Sequence, residues 1–148
     1  MMDLTAIDSV LPATNTAAIA RLEELEQRLE QLPQIELATT HTLHDGVYTR
    51  TVVVPAGAIV TGVVIKIPTT LIVAGDTTVL IGTQAKRLTG YHVLTGAANR
   101  KQAVYAHSDT CFTMLFKTDA KTIAEAEDEF TDETWRLMSN RCDNYLIG

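Results

Sequence analysis

From residue 35 to residue 117 the chain is a series of short runs rich in Thr, Val and Ile, separated by turn-forming residues. The separators include Asp45-Gly46, Pro55-Ala56-Gly57 and Gly75-Asp76, where a strand is predicted to end. They recur about every 8 to 12 residues, the spacing typical of an antiparallel sandwich or barrel. The region therefore predicts about eight short strands arranged as an antiparallel jelly-roll.

The composition fits one globular domain of 148 residues. Hydrophobic residues make up 46% and charged residues 20% of the chain, which excludes wholesale disorder. No stretch of uninterrupted apolar residues approaches the about 18 needed for a membrane span, so we expect no membrane partner. The amino terminus lacks a basic and apolar leader, so we expect the chain to be cytosolic when made.

The charges are segregated along the chain. Residues 1–40 and 118–148 are acidic, whereas residues 41–117 carry seven basic and three acidic residues. This mild excess is far below the footprint of a nucleic-acid-binding surface, so we exclude nucleic acid as the main partner.

A helix of about four turns is predicted between Pro12 and Pro33. Leucines spaced 3, 4, 3 form a narrow stripe of coiled-coil type, with Arg21 placed to meet Glu26 of a parallel neighbour. An oligomerisation seam is one interpretation, and a helix packed on its own domain is the other. The predicted seam comprises Arg21, Leu22, Leu25, Glu26, Leu29 and Leu32.

After Lys117 the sequence becomes acidic and helical. Thr122 and Glu125 have the spacing of a capping box, which marks a helix start. Trp135 anchors this tail either to a neighbouring copy or to its own body, and we favour the second interpretation. The predicted organisation is an arm and oligomerisation helix at 1–34, a jelly-roll domain at 35–118 and an acidic helical tail at 119–148.

Several short motifs resemble small cupin-type (double-stranded β-helix) proteins of tailed bacteriophages. The resemblance covers about half the chain. It implies a cupin-like jelly-roll fold and a non-enzymatic virion role. The motifs are Asp45-Gly46-Val47-Tyr48-Thr49-Arg50, Val54-Pro55-Ala56-Gly57, Ala74-Gly75-Asp76, Gly90-Tyr91-His92-Val93 and Ala106-His107-Ser108-Asp109-Thr110.

Cupin enzymes bind a metal through histidines and a carboxylate, and the corresponding strand here runs from Gly62 to Ile67. Ile65 and Ile67 occupy the histidine positions, so we predict no metal, no cofactor and no catalysis there. The histidines elsewhere have no spacing that demands a ligand set. We expect an aliphatic barrel lining; the residues predicted to form it are Val63, Ile65, Ile67, Ile72, Val79 and Ile81.

Two basic dipeptides, Lys86-Arg87 and Arg100-Lys101, fall in apparent loops. They are either solvated loop tips or a contact patch for acidic partner surfaces. Phe130 and Trp135 of the tail are further candidate contacts.

Two classes of function follow. The first is a bacteriophage structural protein of the virion, forming a trimer or dimer and acting as a capsid decoration protein or as a tail or head-fibre adaptor. The second is a cupin-type protein that binds a small ligand, such as a sugar, with or without catalysis.

Overall fold

A computed structural model describes residues 10–137, which form eight β-strands, two α-helices and one 3-10 turn. The elements are β1 (Val10–Leu11), α1 (Thr16–Leu29), β2 (Ala38–His44), β3 (Val47–Val54), β4 (Ile59–Thr61), β5 (Thr69–Ile81), β6 (Gln84–Gly96), β7 (Ala103–Ala106), β8 (Thr110–Lys117), α2 (Ile123–Phe130) and the 3-10 turn (Thr134–Arg136). The predicted mainly β fold is confirmed. The predicted coiled coil and acidic helical tail are not, since the described part of the tail holds one helix of eight residues and a 3-10 turn. No helix within residues 10–137 is both long and apolar enough to cross a membrane.

Strand β5 joins the two halves of the double sheet. Through residues 70–74 it pairs with β8, which continues to β3 and β2. Through residues 77–80 it pairs with β7, which continues to β4. Every strand pair is antiparallel except β1 with β6, which is parallel.

Gly75 lies where β5 changes partner. Its φ is +147°, and an added Cβ would lie 2.5 Å from the Thr110 Oγ1 and 2.8 Å from the Thr110 Cα. Gly90, also at positive φ, pairs with Gly75 across the hairpin. The sequence pattern predicts a strand end at Gly75. The structure instead continues β5 through Gly75, because glycine tolerates the bend without loss of the pairing with β6.

Helix α1 begins after Asn15, whose side chain accepts a hydrogen bond of 2.8 Å from the Ala18 N–H. It packs on its own barrel through Ala18, Leu22 and Glu26, all buried. The seam prediction is therefore wrong for Leu22 and Glu26, which face the chain's own interior. Leu22 and Glu26 instead fit the other interpretation, in which the helix packs on its own domain.

The rest of the predicted seam is more accessible. Leu25 and Leu29 are half-buried, Arg21 is exposed, and Leu32 lies beyond the helix end with 57% of its surface exposed. Arg28 pairs with Glu24 on the same helix. These positions stay available for a contact between copies.

Helix α2 covers one end of the barrel. Its capping box between Thr122 and Glu125 is present, as predicted. Phe130 is buried against Tyr48 and Phe116, so the prediction of a partner contact at Phe130 is wrong. Trp135 is 63% exposed, which contradicts its predicted role as an anchor to the body.

Parts of the sequence predictions lie outside the described residues. They are residues 1–9 of the predicted arm and residues 138–148 of the tail, including Met138 and Cys142. Cys111 is free and exposed.

Candidate ligand site in the barrel

The interior of the double sheet contains a cavity of about 150 Å³. Most of its lining is aliphatic or aromatic, and three residues contribute polar side chains, Arg50, Arg100 and Gln102. The apolar lining residues are Val52, Val54, Val60, Val63, Ile65, Leu71, Val104, Phe112, Met114, Phe130 and Leu137, with Gly62 completing it.

Strand alternation directs Arg50 inward. Tyr48 and Val54, two and four residues away on β3, are buried on the same face. Arg50 pairs in register with Met114 of β8, and Met114 pairs with Leu71 of β5. In-register neighbours point to one face of a sheet, so these three side chains form a row along the cavity wall.

Arg50 is only partly paired. Its Nη1 lies 3.4 Å from the Glu127 Oε2 on α2, and both side chains are almost fully buried. Its guanidinium also lies 6.0 Å from the ring centre of Phe130. Within residues 10–137, the buried Arg50 Nη2 has no hydrogen-bond partner.

Arg100 enters the interior from the connection between β6 and β7. Its backbone forms an isolated bridge with Ile65, and its side chain donates to the Ala97 carbonyl at 2.8 Å and to the Thr69 Oγ1 at 2.5 Å. An added Cβ at Gly96 would overlap the guanidinium group, so a larger residue there would require the Arg100 side chain to move. Burial lowers the pKa of Arg100 from its ordinary value to about 10, because desolvation disfavours the charged form.

Gln102 lies opposite Gly62, whose N–H donates to the Gln102 carbonyl at 3.0 Å. This backbone contact fixes the residue at the cavity wall. The Gln102 Nε2 is buried, and no acceptor for it exists in the described part of the chain. Two residues of the cavity lining thus carry unpaired donors.

A second buried polar network holds α1 on the barrel beside the cavity. The Lys101 Nζ donates to the Glu26 Oε2 at 3.2 Å and to the Gly62 carbonyl at 2.7 Å. The Thr61 hydroxyl donates to the same Glu26 oxygen at 2.9 Å, and Arg136 pairs with the other at 2.5 Å. Glu26 is therefore a structural carboxylate.

The predicted basic patch does not exist as a unit. Arg100 and Lys101 are 3% and 1% exposed, because the segment after Asn99 turns inward instead of forming a loop tip. Arg87 is exposed and forms two hydrogen bonds, of 2.9 and 2.7 Å, with Asp76. That contact lowers the pKa of Asp76 and raises the pKa of Arg87. Lys86 is half-buried and also has a partner.

Behind Arg50, Tyr48 and His41 form a polar contact. The Tyr48 hydroxyl and the His41 Nδ1 are 2.7 Å apart. Burial raises the pKa of Tyr48 and lowers the pKa of His41, and the Arg50 charge lowers both. These groups support the wall and do not line the cavity.

The residues of the interior do not fit the metal that cupin enzymes hold. Ile65 lines the cavity at a position where the resemblance would place a histidine, and no His, Cys, Asp or Glu is among the lining residues that the structure describes. Within residues 10–137 no cluster of three such side chains has metal-binding geometry. The polar groups present are two guanidinium groups and an amide, and the two positive charges would repel a cation.

The comparisons with known proteins concern the fold. No protein-family model and no curated protein matches the chain. Among solved structures, ectoine synthase from P. lautus is similar with a TM-score of 0.50 and 18% identity, covering 73% of this chain and 82% of that one. A cupin superfamily protein from Desulfitobacterium hafniense has a TM-score of 0.48 and 14% identity, covering 60% and 84%. This chain has a cupin-like fold.

The sequence analysis did not predict the polar groups of the cavity, although the strand pattern around Arg50 indicated one of them. Tyr48, Arg50, Val52 and Val54 share one face of an alternating strand, so a charge among apolar neighbours was visible at Arg50. Of the predicted lining, Val63 and Ile65 line the cavity. Ile72 does not, because Leu71 occupies the inward position on β5.

Proposed function

We propose that this chain is a cupin-type protein that binds a small ligand in the barrel cavity without catalysing a reaction. The observation that carries the proposal is the pair of buried, unpaired donors, the Arg50 Nη2 and the Gln102 Nε2, on residues that line one apolar cavity. Native proteins pair about nine in ten or more of their buried polar groups. Two unpaired donors at one cavity therefore favour an acceptor supplied by a ligand.

Binding without catalysis is proposed because of the chemistry of the lining. Among the lining residues that the structure describes, none carries a carboxylate, imidazole, hydroxyl or thiol that could act as a base or nucleophile. A site of this kind holds a molecule and offers no group to transform it.

The virion role rests on the resemblance of the sequence motifs alone. The ligand hypothesis rests in addition on a cavity with oriented polar groups, so we favour it over the decoration and adaptor roles. Contact with a protein partner through Lys86, Arg87 or Trp135 stays a prediction, as does self-association.

The proposal is tested by methyl NMR of the purified chain during titration with uncharged and anionic molecules of about six to eight non-hydrogen atoms, the size that a cavity of about 150 Å³ admits. We expect saturable shifts of Val63 and Ile65 methyl groups, with dissociation constants of about 10 μM to 1 mM. Val52→Phe should fill the cavity and abolish the shifts. Val93→Phe, the matched control at an exposed position of β6, should preserve them. The absence of saturable shifts with every probe would overturn the proposal.

A further inference from the structure

The balance of buried charge in the barrel favours an anion. Arg50, Arg100 and Lys101 are buried cations, and Glu26 and Glu127 are the buried carboxylates that residues 10–137 supply. Glu127 pairs with Arg50, and Glu26 pairs with Lys101 and with the largely buried Arg136. Arg136 also contacts the more exposed Glu30, so these contacts leave no carboxylate for a further buried cation. A buried charge without a partner carries a large desolvation cost, so the excess cation favours a negative ligand.

The excess cation is Arg100. Its side-chain hydrogen bonds go to the Ala97 carbonyl and the Thr69 hydroxyl, both uncharged. No carboxylate of residues 10–137 is within ion-pair distance of it. Its low pKa of about 10 has burial as its cause, with no opposing contribution from a nearby carboxylate.

The unpaired polar atoms of the lining are donors. The Arg50 Nη2 and the Gln102 Nε2 both need an acceptor, and a carboxylate offers two oxygens that accept several hydrogen bonds. Guanidinium groups bind carboxylates with charge-assisted hydrogen bonds, which are stronger than those between neutral groups. The headgroup that matches this site is therefore a carboxylate.

The apolar residues of the lining determine what the part of the ligand beyond its carboxylate can be. Eleven of the fifteen lining residues have apolar side chains, which include Leu71, Met114 and Phe130. A hydroxylated ligand such as a sugar would leave its hydroxyl groups without partners there. An apolar cavity of this size accepts about six to eight non-hydrogen atoms, a range that includes the benzene bound by cavities of engineered proteins.

We infer that the ligand is a small aliphatic carboxylate whose oxygens meet Arg50, Arg100 and Gln102 and whose hydrocarbon part fills the apolar end of the cavity. This inference rests on the proposed function, since it names the chemical class that the same cavity binds. Binding adds a negative charge beside Arg100 and supplies acceptors to the two unpaired donors.

The test compares isovalerate with isovaleramide, an uncharged molecule of nearly the same shape, by calorimetry and methyl NMR at neutral pH. We expect isovalerate to bind at least about tenfold more tightly, because hydrogen bonds to charged groups are stronger than neutral ones. Inorganic sulfate serves as a probe with charge and no hydrocarbon, and we expect it to bind at least about tenfold more weakly than isovalerate.

Arg100→Met tests the role of the unpaired cation. It should weaken isovalerate binding about tenfold or more and leave isovaleramide binding within about threefold. Arg28→Met, the same change at an exposed helix position, is the matched control and should alter neither. If Arg100→Met does not fold, the comparison of isovalerate with isovaleramide on the unchanged protein decides the question.

The outcomes separate this inference from the proposed function. Equal binding of isovalerate and isovaleramide would overturn the carboxylate inference and leave the cavity as a ligand site. Sulfate binding as tight as that of isovalerate would overturn the hydrocarbon requirement. Failure of every probe to bind would overturn both proposals.

Discussion

The Glu26 carboxylate of helix α1 lies 3.2 Å from the Lys101 ammonium group, which is fully buried at the start of the β7 region. The pair joins the amino-terminal helix to the wall of the barrel, next to Arg100 and Gln102. The position of the helix and that of two polar residues of the cavity are thus coupled.

The Glu26 contact predicts a large loss of stability on substitution. Glu26→Gln should lower the free energy of unfolding by about 3 kcal/mol, because it leaves the Lys101 charge buried without a carboxylate. Glu23→Gln, on the exposed face of the same helix, should change it by less than about 0.5 kcal/mol. Urea unfolding followed by circular dichroism measures both, and equal effects of the two variants would contradict the structural role of Glu26.

Gly75 offers a test of the β5 bend. Gly75→Ala should destabilise the fold by about 3 kcal/mol or more, because the new methyl group meets Thr110 and the backbone has positive φ. Gly82→Ala has positive φ but open space around it, and should cost about 1 kcal/mol. A thermal melt that ranks the two variants in the opposite order would show that β5 does not pass Thr110 this closely.

The lowered pKa of His41 leads us to expect that the free energy of unfolding depends on pH. Its pKa is below the ordinary value of 6.5, chiefly because of burial and then because of the Arg50 charge, with Glu127 acting in the opposite direction. The unfolded chain therefore takes up the proton first as the pH falls below 6.5, and the free energy of unfolding decreases down to the folded-state pKa. Above pH 6.5 the contribution of His41 is fully present.

Substitution at His41 should remove this part of the pH dependence. We expect His41→Gln to flatten the decrease in unfolding free energy below pH 6.5, whereas His44→Gln, at an exposed position on the same strand, should keep it. Denaturant titrations at a series of pH values provide the measurement. A slope that survives in His41→Gln would assign the pH dependence to another group.

Self-association through α1 stays a prediction, and the structure reduces the number of residues that could form the contact. With Leu22 and Glu26 buried in the chain's own interior, a contact between copies has to use Leu25, Leu29 and Leu32. Light scattering should show an oligomer that dissociates when Leu25 and Leu29 are changed to Asp, with the β-sheet signal intact. A monomeric mass for the unchanged protein would contradict this prediction.

The sequence predicted which segments form strands and helices better than it predicted which residues are buried. The strand alternation, the helix before Pro33 and the Thr122 capping box are local features, and local geometry determines them. The burial of Arg100 and Lys101 depends on contacts with Thr69 and Glu26, which are distant along the chain, and the sequence around Asn99 resembles an ordinary loop. The strand end predicted at Gly75 is wrong because a glycine that bends a strand and one that ends it have the same local sequence signal.

The central claim, that the barrel interior binds a small aliphatic carboxylate, is tested most directly by intermolecular nuclear Overhauser effects between isovalerate and the chain. We predict contacts from the isovalerate methyl groups to Val63, Ile65 and Met114 that saturate with concentration and disappear in Val52→Phe. An absence of such contacts, or their persistence in Val52→Phe, would contradict the claim.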